Sequence, residues 1–466
     1  MKHGVFVVSL SMVVALVVLV AVEPAEAQVV VLKVGPHGTY ASIQDAIDVV
    51  VSGDETEIWV EGANTYVENL EIDAAFAAGT LALLGGWDMT FAARVFPPQD
   101  TIIDGNQAGR VVDAFGIGGS LVIDGFTITN GFETSSGGGV RIDPSGDAHV
   151  TLDNLRIDGN TVISASGASG GGLQVELYST QRIEVLNCRI KDNSVTSTSG
   201  GVLVGGGVNI RAIGDSSFLV QDCEIYRNTL ESTGQLFGAG VWFSLRDNVQ
   251  GELLDTPIVE NTTESAEAWV SGAYIEMRHS SILNVERSAI ALNATTDGGA
   301  APQLWTSNAE VSSLRMSDSI VALGDEDGLE VRADHTSTVN LVNLTVADNQ
   351  GTGIVMGQWG SATMTLYNTI SFGNLVDLSV IQGAVVAGSN LIGVDPLFVN
   401  PVAHDYELRL GSPAENAGDN NPPGGLGLLD FIGNPRIKDG TVDIGCYEGI
   451  AEIFSDGFES GDVSAW

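Results

Sequence analysis

The chain has 466 residues, of which 58 are glycine and 17% are charged, and its net charge is −40. A surface this acidic repels DNA, RNA and anionic lipid, and it repels polyanionic sugars such as pectate unless a divalent cation bridges them. Hydrophobic residues make up 44%, enough for a long core. Gly, Ser, Thr, Asn and Val dominate the middle of the chain and favour strands and turns over long helices.

The N-terminus reads as a signal peptide over residues 1–27. Lys2 and His3 precede an apolar run from Val5 to Val22, and Ala25-Glu26-Ala27 is a small-residue cleavage site before Gln28. The apolar run is long, so an uncleaved anchor is the alternative. No later stretch is long enough to span a membrane. Residues 28–95 read as a cap. Ser42 is placed to cap a short helix whose Ile43, Ala46, Ile47 and Val50 share one face. Strand-like segments follow at 57–60, 66–72 and 81–87. A helix here would cover the open end of a strand stack, which otherwise invites aggregation.

Residues 96–395 carry two interleaved repeats. One is small-or-apolar, any, Ile/Val, then Asn three residues later. It occurs at Leu155/Ile157/Asn160, Cys188/Ile190/Asn193, Cys223/Ile225/Asn228, Thr256/Ile258/Asn261, Ser288/Ile290/Asn293 and Leu344/Val346/Asn349. Asp318/Ile320/Leu323 fills the gap, with Leu in the Asn place. The other is Gly, apolar, any, apolar, at Gly139, Gly172, Gly207, Gly240, Gly272, Gly328 and Gly353. The Asn series from 160 to 293 and the Gly series from 139 to 272 both step by 33, 35, 33 and 32 residues. Two series in step imply one structural unit per period. Such a unit cannot bury its apolar face alone and must stack. The prediction is an all-β, single-stranded right-handed parallel β-helix of about nine coils, from near residue 120 to 374, with a short N-terminal capping helix. Ile/Val fills the core and Asn forms a turn ladder. Cys188 and Cys223 occupy the same repeat position and read as stacked core residues rather than a disulfide.

Residues 396–450, rich in Pro and Gly, read as the second cap, and 451–466 as an acidic tail, a possible sorting or anchoring element. The segment Gly38-Thr39-Tyr40-Ala41-Ser42-Ile43-Gln44-Asp45-Ala46-Ile47, with Gly85-Gly86-Trp87 and Thr101-Ile102-Ile103-Asp104-Gly105, resembles the N-terminal region of pectin-lyase-fold proteins. Asp395-Pro396-Leu397-Phe398, Asp405-Tyr406-Glu407-Leu408, Ser412-Pro413-Ala414 and Asp443-Ile444-Gly445-Cys446-Tyr447-Glu448 resemble the C-terminal region of choice-of-anchor Q proteins, most of which carry a small residue where Cys446 stands. The tail, Asp456 to Asp462 with Trp466, is similar to a short element of exported bacterial proteins. The resemblance implies bacterial export, and polysaccharide lyases and hydrolases among the relatives.

Catalytic signatures are sparse. There is no Gly-His-Gly. Arg-Ile-Lys occurs at 189–191 and 436–438 but in unrelated settings. Asp158, Asp192 and Asp222 sit near repeat positions where stacked coils bring carboxylates within glycosidase range, though with so many acids such coincidences are expected. The five histidines from His37 to His404 lack metal-ligand spacing. Gly324-Asp325-Glu326-Asp327-Gly328 is an acidic turn that could bind a cation, so Asp325, Glu326 and Asp327 are candidate metal ligands and Ca2+ a candidate cofactor. Arg182, Arg211, Arg246, Arg278 and Arg332 recur as stacked surface charges. Trp242, Phe243, Trp269, Tyr274, Trp305 and Trp359 offer aromatic surface. Trp242 and Tyr274 share a phase, two residues past the repeat Gly, and are the candidate glycan-stacking pair.

These observations predict an exported, monomeric, non-catalytic protein presenting an extended surface to a polysaccharide or a cell-surface protein, without nucleic-acid binding. The alternatives are a divergent polysaccharide lyase or glycoside hydrolase, marked by charged groups converging in one groove, and a calcium-dependent adhesin.

Overall fold

The computed structural model describes residues 29–449, except 74, 75, 77, 266 and 297–301. The predicted leader and the acidic tail lie outside the described residues. Each complete coil contributes a strand to a first sheet of 13 strands, a second of 12 and a third of 11, all paired in parallel. His149–Asp153, Arg156–Asp158 and Leu173–Tyr178 show the order. Inward residues alternate with outward ones, and the inward column Ile128, Ile157, Ile190, Ile225, Ile258, Ile290, Val321, Val346 runs in register up the second sheet. All eight are buried. The fold is a right-handed parallel β-helix. No helix among the described residues is long and apolar enough to cross a membrane.

The Asn and Gly series keep step because their side chains interlock. Asn193 Oδ1 accepts hydrogen bonds from both the backbone N–H and the Nδ2 of Asn160, at 3.0 Å each. Its own Nδ2 donates to the Ile157 carbonyl and to Asn228 Oδ1. Asn228, Asn261 and Asn293 continue the chain. Each amide lies against the repeat glycine of the coil before it. A Cβ on Gly172 would sit 2.8 Å from Asn193 Nδ2, and one on Gly272 would sit 2.6 Å from Asn293 Nδ2. The glycine is therefore required by the Asn, not by backbone dihedrals.

One coil inverts this pair. The predicted triad Asp318/Ile320/Leu323 is one residue out of register, because Ile290 pairs with Val321 and the true triad is Ser319/Val321/Gly324. Leu323, at φ 62, is the left-handed turn residue that precedes the ladder position, like Leu292 and Asp348. Gly324 thus takes the Asn place and Gln303 takes the Gly place. Gln303 Oε1 accepts from the Asn293 N–H at 3.1 Å, and its Nε2 donates to Asn349 Oδ1 at 2.8 Å. The longer amide enters from the opposite side and keeps the ladder continuous.

The small position forms a second ladder. The N–H of Cys188 donates to Cys223 Sγ, that of Cys223 to Thr256 Oγ1, that of Thr256 to Ser288 Oγ and that of Ser288 to Ser319 Oγ. Each thiol or hydroxyl donates to the carbonyl two residues earlier, as Thr256 does to Leu254 at 2.8 Å. All three cysteines are free and buried.

At the N-terminal end the helix Ile43–Ile47 forms as predicted, with Ser42 Oγ accepting from the Asp45 N–H. The segment read as a cap also holds the first three strands of the first sheet, Val30–Val34, Glu55–Glu61 and Thr80–Trp87, so stacking begins well before residue 96. The C-terminal segment differs from an end cap. It lies along the outside of the second sheet, where Phe398, Tyr406, Ala414, Ile444 and Cys446 pack on Ile320, Ala322, Ala347 and Ile370. The last coil keeps Leu375, Val376, Val380, Ile381 and Val386 exposed. Arg436 anchors the segment. Its side chain is 1% exposed and its Nε lies 3.4 Å from Asp318 and 3.8 Å from Glu448. Burial raises the Asp318 carboxyl and pushes Glu448 up to about 7, with Arg436 opposing both shifts.

Two outcomes follow from this arrangement. Gln303→Gly opens the amide ladder and lowers unfolding free energy by about 2–4 kcal/mol. Adding Gly324→Asn recovers most of that loss, and a double-mutant cycle in urea measures the coupling. For the anchor, a carboxyl raised in the folded state stabilises docking fully below its unfolded value of 4.5 and loses that contribution as pH rises through about 7. Amide exchange over 396–449 accordingly quickens between pH 5 and 8 beyond its intrinsic trend, and Glu448→Gln flattens that excess.

Candidate functional site

Coils in the middle of the stack are longer because each makes an excursion between the second and third sheets. The excursions build a six-stranded and a four-stranded sheet, the latter from Ala168–Ser169, Leu203–Val204, Leu236–Phe237 and Ala268–Val270. Later coils lack them: Asn349 and Asn374 are 25 residues apart, against 33 for Asn160 and Asn193. A step therefore forms beside the edge strand Ala268–Val270, where the side wall ends and the third sheet continues as the floor.

Aromatic residues gather at this step. On the floor, Asn209, Trp242, Tyr274, Trp305 and Glu330 share one outward column on successive coils. The predicted phase of Trp242 and Tyr274 thus extends to Trp305, hidden in the sequence because Gln303 replaces its marker glycine. From the wall, Trp269 stacks on Trp305 with ring centres 5.5 Å apart at 27°. Phe237 meets Trp269 at 5.6 Å and the edge of Tyr274 at 5.1 Å. Tyr274 also packs edge-on to Trp305 at 5.0 Å, so it supports the cluster more than it offers a face. Trp269 is the open ring, 42% exposed. Trp242 is partly exposed and Trp359 lies apart from the cluster. Phe243 points inward to the core.

Arg332 lies over Trp305 at 5.1 Å and its Nη2 pairs with Glu330 at 2.6 Å. Ala268, Trp269, Pro302, Trp305, Glu330 and Arg332 line a shallow cavity of about 220 Å³, smaller than the roughly 300–1,000 Å³ of enclosed small-molecule sites. Trp305 is 8% exposed and its Nε1 has no hydrogen-bond partner. Burial, and then the charge of Glu276, pushes the Tyr274 hydroxyl up to about 12, so it stays protonated as a donor. The site offers an exposed indole, an O–H donor and a fixed carboxylate–guanidinium pair. That set suits hydroxyl-rich ligands.

Of the recurring arginines, Arg182, Arg211, Arg278 and Arg332 are paired on the surface. Arg278 pairs with Glu276, Arg211 lies 3.7 Å from Glu176, and Arg182 pairs with Glu184. Further along the third sheet, Asp143 faces Glu176 on the next coil. Burial and that neighbour raise the Asp143 carboxyl, and Glu176 accepts from the Tyr178 hydroxyl at 2.5 Å. Nothing in the sequence motifs marked this pair.

The other candidates are absorbed into the scaffold. Lys191 bridges Asp158 at 2.9 Å and Asp192 at 2.8 Å, and hydrogen bonds from Arg227 help hold the Asp192 carboxyl down at about 2. Asp222 is a left-handed turn residue at φ 53. Arg189 forks onto Glu224, and the second Arg-Ile-Lys supplies the buried Arg436. Asp325, Glu326 and Asp327 are not brought together. Asp325 Oδ2 accepts from the Thr295 N–H of the preceding coil, and Asp327 Oδ1 from the Thr352 N–H of the following one. Among the described residues, no three His, Cys, Asp or Glu side chains are grouped to hold a metal ion.

Residues 114–313 match the family model described as "Right handed beta helix region". The crystal structure of pectate lyase Pel9A aligns at a TM-score of 0.41 and 12% identity, covering 91% of this chain and 97% of that one. No curated protein matches the chain.

With Asp325 and Asp327 turned to opposite coils, calcium and chelator each shift the melting temperature by less than about 1 °C. Asp327→Ala costs about 1 kcal/mol through the lost bond to Thr352, measured by thermal or urea unfolding.

Proposed function

We propose that the chain is an exported β-helix protein whose third-sheet face binds glycans at the step between long and short coils. The observation that carries this reading is the half-exposed indole of Trp269, braced by Trp305 beside the Glu330–Arg332 pair. An aromatic cluster with an open ring and a polar rim is the kind of surface that marks an interaction site. The signal-peptide pattern of residues 1–27 supports export to where polysaccharides and surface proteins are met. The likeness of 395–448 to choice-of-anchor Q proteins and the pattern of the tail support attachment at the bacterial envelope.

A second reading, a glycoside hydrolase, rests on the Asp143–Glu176 pair. Adjacent coils are about 4.8 Å apart, near the carboxylate separation of retaining enzymes. Proton uptake on Asp143 would leave Glu176 as the charged partner.

Affinity electrophoresis through gels carrying polysaccharides tests the first reading. The full chain is retarded by at least one of them, and Trp269→Ala abolishes the shift while leaving the melting temperature within about 2 °C, as expected for a surface site. Equal mobility of the two proteins in every gel would sink it. Reducing-sugar release by the wild type but not by Asp143→Asn would favour the hydrolase instead.

A further inference from the structure

Resting on the glycan reading, we infer that the ligand is a neutral, extended polysaccharide laid along the axis of the solenoid, contacting four successive coils. The aromatic groups fall in coil order. Phe237 and Trp242 belong to one coil, Trp269 and Tyr274 to the next, Trp305 to the third, and Glu330 with Arg332 to the fourth. Three steps of about 4.8 Å span roughly 14 Å. One coil is close to the length of one pyranose in an extended β-linked chain, so successive sugars meet successive coils in the same phase. A chain lying across the sheet would meet the wall strand Ala268–Val270 on one side.

The charge pattern selects the class. The whole chain carries −40, and the two guanidinium groups beside Tyr274, those of Arg278 and Arg332, are already tied to carboxylates. Arg278 is matched by Glu276 and Arg332 by Glu330 within their own strands, and Arg246 stacks beside Arg278. Guanidinium groups already occupied by carboxylates have little to offer a polyanion, which would also approach against the field of the whole molecule. A neutral glycan meets no such repulsion. Its hydroxyls can donate to Glu330 and accept from Arg332 and the Tyr274 hydroxyl. Its ring faces can stack on Trp269 and Trp242.

The test is titration of the full chain with two oligosaccharide series of one to six sugars at 0.15 M salt without divalent cations. One is neutral and β-linked (cello-, manno- and xylo-oligosaccharides) and the other is oligogalacturonate. Tryptophan fluorescence and calorimetry read the binding. In at least one neutral series, affinity climbs with length to a plateau near four sugars, while oligogalacturonates bind on the order of tenfold more weakly or not at all. Trp269→Ala and Trp242→Ala each weaken the longest neutral probe by roughly tenfold with unchanged unfolding transitions. Tighter binding of oligogalacturonate, lost in Trp269→Ala, overturns the neutral class and leaves the glycan reading standing. Affinity already complete at a single sugar overturns the axial placement in the same way. No binding by either series overturns the inference together with the reading beneath it.

Discussion

The structure depends on one steric and hydrogen-bonding bargain repeated in each coil: a buried Asn amide occupies the space that a Cβ would need on the facing strand. The Asn side chain satisfies the backbone N–H of the coil before it and a carbonyl within the stack, so the turn between the second and third sheets closes with its polar groups paired. Buried polar groups are costly when unpaired, which makes such a ladder cooperative along its length. The inverted pair Gln303 and Gly324 shows that the rule concerns volume and amide position, not residue identity.

That constraint also explains where a site can arise. Ladder, core and thiol–hydroxyl positions are committed to stacking, so variation is confined to outward columns and to the excursions. The wall made by the excursions ends at Ala268–Val270, and the aromatic cluster lies where long coils give way to short ones. A regular solenoid surface is flat. The change in coil length supplies the concavity in which Trp269, Trp305 and Arg332 meet.

The C-terminal segment illustrates the reverse case. Its Pro, Gly and loop-rich composition suggested a cap over the end of the stack. It runs along the side instead, because outward Ile320, Ala322, Ala347 and Ile370 form an apolar strip that needs covering. The buried Arg436 fixes its position. Breaking a buried pair of this kind leaves an uncompensated charge, which makes docking specific. The same short Arg-Ile-Lys string at 189–191 is a surface salt bridge, so its meaning is set by surroundings.

Periodicity determined the fold class, the stacked coils and the structural role of the Asn and Gly residues, because each coil repeats the same local demands, and the Ser42 cap with its local helical face marked the helix Ile43–Ile47. It mis-registered the one coil in which Gln303 and Gly324 exchange roles, since the markers themselves had moved. It placed Trp242 and Tyr274 in one column but could not join Trp269 to them, because Trp269 reaches the cluster from a different strand. Nor could it separate the acidic turn at 325–327 from a metal site, because facing opposite coils is not a property of neighbouring residues. What the tertiary structure decided were the contacts between coils of unequal length and between the stack and its C-terminal segment, which depend on distances that no single repeat encodes.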